Sequence, residues 1–473
     1  MPAQTEPPVR LGEPSIQRPS STRGPIRETS VVGPTTSVGS IGRQQTLPGA
    51  ARISTAPAQL TLAEAIRLAL ANNLATLLAQ EQRREAGGIV QQARSALLPN
   101  LSGIAYQASV TENLAALGFQ PGTFPGISRT FIGPFNNFDA RLQLVQNILD
   151  LSAIRNYQSS RASVRAAEFQ QQLARERVAE AAALTYLEAL RSERNIAAAQ
   201  ANFDLATTLF QLAQDQRNAG VATGVDVVRA ETRLAQERVA LSQARTESEE
   251  AHLNLQRVIG VPLGSPLILS DALRFTMEVL PTDDTAIAQA LTNRAEVSIA
   301  QAEVDVTNLE RKAVRDELLP SLQFVGDYGV SGITPTNSAL PTRRVAVQLN
   351  VPVFNGGLTQ GRLTVATGRQ HEAELQLNSV RGQVEEDVRL ALSALRTTVE
   401  RVRAADEALA LAQRELEMAR DRFRAGVADN LEVVTAQASL ANARAAQIEA
   451  LAVYNAARLN LSAAVGKAET FRW

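Results

Sequence analysis

The sequence predicts a mainly α-helical chain that carries two tandem copies of one structural unit, with a pair of β-strands inside each copy. Three observations predict this: segments that recur at roughly 200-residue spacing, four stretches of alternating character, and long proline-free helical stretches with heptad spacing. The composition agrees, because only 4% of the 473 residues are aromatic. Long stretches rich in Ala, Leu, Glu, Gln and Arg are typical of helices packed side by side.

The first segment of the chain differs from the rest. Residues 1–58 are rich in Pro, Ser, Thr, Gly and Arg and show no periodic apolar pattern. Such a segment buries too little apolar surface to offset the entropy lost on ordering, so we expect a disordered extension. We recognise no signal peptide in the first residues, which lack a basic stretch followed by an apolar one. The helical pattern then begins with Thr61 as an N-cap and Glu64 as its capping-box partner.

Four pairs of segments, in the same order, establish the repeat. They are ARSALLPNL and VRDELLPSL, LQLVQNILD and VQLNVPVFN, AGVATGVDVVRAETRL and AGVADNLEVVTAQASL, and LNLQRVIG and LNLSAAVG. In each copy a Leu-Pro pair ends a helix, because proline disfavours helical backbone in the residue before it. The pairs divide the chain into a first unit at 59–265, a linker at 266–285 and a second unit at 286–468.

Four segments alternate between apolar and polar residues, which is the period of a β-strand. They lie at about 100–111, 138–149, 321–331 and 344–354. Each is close to the length at which a tilted strand crosses a bilayer. For any single segment, a half-buried strand of a soluble sheet is the alternative. Because no run of about 18 apolar residues occurs, any membrane span must be β.

Four strands alone cannot form a stable sheet in lipid, because both edges would keep unpaired backbone groups. The smallest membrane barrels have about eight strands, so closure needs at least two chains, and three would give a twelve-stranded β-barrel. The proline-free stretches at 152–218 and 357–424 would each form a helix roughly 100 Å long. In the returning helix Val433, Leu440 and Tyr454 fall on a seven-residue spacing, which predicts a coiled-coil barrel continuous with the strands. An ordinary two-stranded coiled coil would explain the helix alone.

Several of these motifs together resemble the TolC family of outer-membrane efflux proteins, from about residue 60 to 466. They are the duplicated Leu-Pro-x-Leu before a strand, the strand ending in VPVFNGG, and the duplicated AGV turn followed by DVV or EVV. The resemblance implies a homotrimer with a twelve-stranded barrel in outer-membrane lipid and a helical tunnel in the periplasm. It further implies a passive exit duct of a tripartite efflux pump or type I secretion system, supplied by an inner-membrane pump and a periplasmic adaptor.

The resemblance also assigns roles to the two helix-turn-helix tips. The candidates for adaptor contact are Gly220, Val221, Ala222, Gly426, Val427 and Ala428. The alternative for the glycines is the turn that glycine commonly supplies at a helix C-terminus.

Acidic residues after each tip are candidates for a periplasmic gate. They are Asp226, Asp429 and Glu432. Like charges around a threefold axis would repel one another and attract cations. The alternative is a carboxylate that stabilises the start of a helix. Two positions depart from the family pattern: Ala428 replaces a basic residue that pairs across the gate in some members, and Thr435 stands where a second acidic ring can occur.

The inventory of reactive groups argues against an enzyme. The 47 basic and 48 acidic residues give a net charge of −1, which disfavours nucleic acid as a partner, and there is no cysteine for thiol chemistry. His252 and His371 each stand alone on a helix, and no phosphate loop, metal-ligand spacing or nucleophile elbow occurs. We therefore expect no catalytic residue, metal or cofactor. The alternative function is a soluble or periplasmic coiled-coil scaffold, or the adaptor itself.

Overall fold

A computed structural model describes residues 49–54, 59–118, 120, 131–277, 280–336, 338–428 and 430–472. Most of the predicted extension, 1–48 and 55–58, lies outside this range. Residues 49–54 are packed against the fold: the Ala51 N–H donates to the Asn72 carbonyl at 2.8 Å, and the Ser54 N–H donates to the Gly260 carbonyl at 2.7 Å. The folded part therefore begins earlier than residue 59.

The elements follow the predicted repeat. The first unit contains β1 Gln59–Leu60, α1 Leu62–Asn72, α2 Leu74–Ser95, β2 Asn100–Asn113, β3 Phe131–Leu149, α3 Leu151–Asn218 and α4 Gly224–Ile259. After β4 Ile268–Leu269, the second unit contains α5 Asp283–Asn293, α6 Ala295–Asp316, β5 Ser321–Gly332, β6 Leu340–Asn350, α7 Leu358–Arg424 and α8 Asn430–Ala464. The order of helix, helix, strand, strand, helix, helix thus occurs twice. In the described part of the chain, every helix lacks an apolar stretch long enough to cross a membrane.

Two strands, β3 and β6, differ most from their predicted ranges. β3 begins at Phe131 where the sequence predicted about 138, because residues expected in the connecting loop pair with the end of β2. β6 runs over Leu340–Asn350 where the sequence predicted 344–354. The later end was overestimated because Pro352 has no N–H to continue the ladder.

The four long strands form one antiparallel sheet in the order β2-β3-β5-β6. We call its two sides the apolar face and the polar face. The register places on the apolar face Leu101, Leu142, Leu144, Phe324, Tyr328, Val330, Val345, Val347 and Leu349. It places on the polar face Asp139, Arg141, Gln143, Asp327, Arg344 and Gln348. Since facing residues share a side, β2 contributes Ile104 and Tyr106 to the polar face, opposite Arg141 and Asp139.

A network of ion pairs crosses the polar face. Arg141 contacts both Asp139 and Asp327, the latter at 3.3 Å, and Arg344 lies 2.9 Å from Asp327. Both aspartates are buried, with side chains 5% and 4% exposed. Buried carboxylates are costly without partners, so this network is what allows them on the sheet.

The main apolar core lies where the helices of the first unit meet the C-terminal segment. Tyr186 of α3 is fully buried there, and its hydroxyl lies 2.9 Å from the Leu60 carbonyl and 2.9 Å from an Asp271 carboxylate oxygen. The same carboxylate accepts the Leu62 N–H at 2.8 Å and so caps α1. Burial and the neighbouring carboxylate raise the pKa of Tyr186, which keeps the hydroxyl protonated as a donor.

We expect Tyr186→Phe to lower the free energy of unfolding by about 1–3 kcal/mol, because buried acceptors lose their donor. Denaturant unfolding of the detergent-solubilised protein followed by circular dichroism measures the change. Tyr157→Phe is the control, since the hydroxyl of Tyr157 has no hydrogen-bond partner among the described residues. Equal effects of the two substitutions would contradict the assignment.

Candidate functional site at the hairpin tips

The turns between α3 and α4 and between α7 and α8 have the same backbone geometry. Gly220 and Gly426 adopt left-handed backbone, with φ of 78° and 71°. The Val221 N–H donates to the Gln216 carbonyl at 2.9 Å, and the Val427 N–H donates to the Arg422 carbonyl at 3.1 Å. This is the Schellman motif, in which glycine meets a conformational requirement at the end of a helix. Both glycines therefore form the turn that ends the preceding helix.

Beside each glycine, a valine projects from the surface. Val221 is 63% exposed and Val427 is 71% exposed, whereas Ala222 and Ala428 are half-buried. A Cβ atom added at Gly426 would lie 3.8 Å from Cγ1 of Val221, so the two tips are neighbours. A shallow groove continues along α4 and α8; the residues that line it include Val225, Val228, Leu431 and Val434 together with Arg229 and Arg233. The tips thus present apolar side chains to solvent.

Asp226 forms a capping box at the start of α4. Its carboxylate accepts the Thr223 N–H at 2.9 Å and the Thr223 hydroxyl at 2.7 Å, and its own N–H donates to Thr223 Oγ1 at 3.4 Å. The side chain is almost fully buried. Hydrogen bonds from Thr223 lower the pKa of the Asp226 carboxyl, outweighing the effect of burial. In the single chain, the contacts of Asp226 are those of a carboxylate that stabilises the start of a helix.

The other two gate candidates are placed differently. Glu432 is half-buried on α8 and lies 3.2 Å from the Arg422 guanidinium of α7. Asp429 lies outside the described residues. In the single chain, each carboxylate has its own local partner, which is Thr223 for Asp226 and Arg422 for Glu432.

Two side-chain amides join the tip of one hairpin to the other. The Asn430 amide donates to the Asp226 carbonyl at 2.8 Å, and Asn430 is only 1% exposed. The Gln216 amide donates to the Phe423 carbonyl at 3.1 Å. Sequence reasoning missed both residues. The available signal was small: Asn430 stands where the matching position of the first unit is Gly224, so the repeat is broken at this residue.

The lowered pKa of Asp226 predicts a pH dependence of the tip. A depressed carboxyl pKa contributes stability above the unfolded pKa, and this contribution is lost as pH falls through the lower folded pKa. We expect Asp226→Asn to remove the loss of stability at acidic pH. We expect Thr223→Ala to lower the stability of the start of α4 by about 1 kcal/mol at neutral pH. Hydrogen exchange of the α4 amides, measured at pH 7 and at acidic pH, reports both effects. Asp215→Asn, on the exposed side of α3, is the control and is expected to change neither.

Both histidines are held by nearby carboxylates. His252 lies 3.1 Å from Glu193 and 2.8 Å from the Ser248 carbonyl, and the Glu193 contact raises the pKa of His252. His371 lies 3.2 Å from Glu374. In the described ranges, no group of three His, Asp or Glu side chains is arranged to hold a metal ion.

Comparison with known proteins gives concordant matches. The sequence profile of the outer membrane efflux protein family matches residues 65–261 and 286–467. The alkaline protease secretion protein AprF of Pseudomonas aeruginosa is 27% identical over 318 residues, which is 65% of this chain and 65% of AprF. The outer membrane protein TolC of Escherichia coli is 23% identical over 400 residues, covering 80% of this chain and 76% of TolC. The crystal structure of the Campylobacter jejuni CmeC outer membrane channel has the same fold, with a TM-score of 0.72, 19% identity and 86% of each chain covered.

Proposed function

Since the chain belongs to the outer membrane efflux protein family, we propose that it is an outer-membrane exit duct. The observation that carries this proposal is the attachment of two long helical hairpins to a sheet with one apolar and one polar face. At 1.5 Å per residue, α3 and α7 are each roughly 100 Å long. The sheet would lie in the outer membrane and the hairpins in the periplasm. Small molecules or polypeptides would pass through without catalysis.

The duct would form from three copies of the chain. β2 and β6 are the edges of the sheet, and both would leave backbone groups unpaired in lipid. Pairing β6 of one copy with β2 of the next removes every edge once the ring is closed, and three copies supply twelve strands. A soluble coiled-coil scaffold, the alternative, gives no role to an exposed apolar sheet face.

The partners would be a periplasmic adaptor and an inner-membrane pump, with the adaptor at the hairpin tips. The exposed Val221 and Val427 support this, because apolar side chains next to rigid glycine turns offer a defined contact. Asp226, Asp429 and Glu432 would contribute to the closed periplasmic end, and Asp226 also caps α4. AprF is named for protease secretion, so a polypeptide cargo fits the proposal.

The test begins with fractionation and crosslinking. The chain has no cysteine, so single cysteines placed in β6 and β2 give crosslinks without a background. We expect the protein in the outer-membrane fraction, with a crosslinked product three times the mass of the chain. Recovery as a monomer that is soluble without detergent would disprove the duct.

The tip contact makes a separate prediction. We expect Val221→Asp combined with Val427→Asp to leave the trimer intact and to reduce export at least tenfold, because buried carboxylates at an apolar contact are unfavourable. Export of a dye or of a secreted protein from cells measures the loss. Val239→Asp, in the middle of α4 and 56% exposed, is the matched control and should export normally.

A further inference from the structure

Two neighbouring arginines in β6 lie on opposite faces of the sheet and differ in their partners. Arg344, on the polar face, is paired with Asp327 at 2.9 Å. Arg343, on the apolar face, is exposed and forms no ion pair with any described residue. A guanidinium on an apolar face is unfavourable in lipid unless it reaches an anion or water. Arg343 therefore needs an anion or water at this position, and the described residues of the single chain supply no anion.

The residues around Arg343 indicate that it lies at the rim of the exposed apolar band. Tyr328 of β5 lies directly opposite Arg343 in the register and is 65% exposed. Toward the helices, the same face continues with exposed Val345, Val347 and Leu349. Arg343 is the fourth residue of β6 and lies near the end of the sheet that carries the connecting loops. Tyrosine and arginine at the rim of an apolar band are typical of the level of lipid headgroups.

The opposite rim of the apolar band is marked as well. After β6 ends, Val353 is 91% exposed and Phe354 is 89% exposed. The segment from Arg343 to Val353, whose odd-numbered residues share the apolar side, spans roughly 25 Å if it is extended at about 3.3 Å per residue and tilted as membrane strands are. That matches the apolar band of membrane strands, about 25 Å tall between aromatic girdles. The spacing agrees with Arg343 at one headgroup level and Val353 at the other.

We propose that Arg343, with Tyr328 beside it, binds the phosphate of a lipid headgroup at the outer rim of the sheet. This rests on the proposed function, since the loop end of the sheet faces outward only if the helices lie in the periplasm. The planar guanidinium can donate two parallel hydrogen bonds to a phosphate, and the tyrosine hydroxyl can donate a third. Lipid A, which carries phosphates in the outer leaflet, supplies this chemistry.

Native mass spectrometry of the full-length trimer, titrated with lipid A, tests the site. We expect Arg343→Gln to weaken lipid A binding about tenfold and Arg343→Lys to retain most of it, because charge-assisted hydrogen bonds are among the stronger ones. Diacylglycerol, which has chains and no phosphate, should bind wild type and both variants alike. Unchanged lipid A binding by Arg343→Gln would overturn the proposal.

A carboxylate of the neighbouring copy is the competing partner, and Glu112 near the end of β2 is the candidate. If Arg343 pairs with it, Arg343→Gln and Glu112→Gln will lower trimer stability equally in lipid-free detergent. We expect neither to do so, and we expect Glu112→Gln to bind lipid A as wild type does. A soluble monomeric wild type would instead disprove the proposed function, whereas a normal trimer with unchanged lipid A binding disproves only this site.

Discussion

Gly329→Ala is expected to remove the folded trimer from the outer membrane. A Cβ atom at this position would lie 2.3 Å from the Ala140 carbonyl oxygen and 2.5 Å from Cα of Arg141, both in β3. These are backbone contacts, so the strands would have to separate where β3 and β5 join the two repeats. Overpacking typically costs about 1–3 kcal/mol, and we expect this substitution at the upper end because the contacts are with backbone atoms. Heat-modifiable migration of the trimer on gels and export by cells measure the loss.

Gly103→Ala is the matched control within the same sheet. Its Cβ atom would meet only Leu142 Cδ2, at 3.5 Å, which is an ordinary contact. Both substitutions change the strand propensity equally, so a difference between them isolates the steric contact. A trimer of Gly329→Ala as stable as that of Gly103→Ala would show that β3 and β5 do not pair in this register.

The long helices were the part of the fold that the sequence predicted most closely. The expected 152–218 and 357–424 correspond to Leu151–Asn218 and Leu358–Arg424. Their ends carry local signals, namely Asp150 at the N-cap of α3 and glycine after each C-terminus. A chain segment with such caps and no internal proline specifies its own limits.

The pairing of the strands could not be predicted in the same way. Alternation identifies which residues share a face of one strand, and it does not identify which faces of two strands lie together. Ile104 and Tyr106 form the apolar side of β2, yet the register puts them on the polar face with Asp139 and Arg141. The ion-pair network follows from that register and was equally inaccessible.

At the tips, the residue type alone allowed two roles for Asp226. An acidic residue just after a turn suits both a ring of charges and a helix start, and only the contacts to Thr223 distinguish them in the single chain. Asn430 carried no recognised motif, because a lone asparagine at the start of a helix is common as a cap. Asn430 matters because its amide donates to the Asp226 carbonyl, which is distant in sequence.

Asn430→Ala combined with Gln216→Ala is expected to favour the open periplasmic end of the duct. The two amides hold one hairpin tip to the other through the Asp226 and Phe423 carbonyls. Loss of each net hydrogen bond costs about 1 kcal/mol, so the closed arrangement would weaken by about 2 kcal/mol, or more than tenfold in the open-to-closed ratio. Single-channel recording in planar bilayers would show this as longer and more frequent openings.

Asn455→Ala separates gating from stability. Asn455 is as buried as Asn430, lies on the same helix and donates to the Arg274 and Leu451 carbonyls, away from the tips. Its loss should lower the unfolding temperature as much as the loss of Asn430 does, without raising the open probability. If both variants open the duct equally, a general weakening of α8 is responsible. If neither does, the contacts that keep the tips closed lie between copies of the chain.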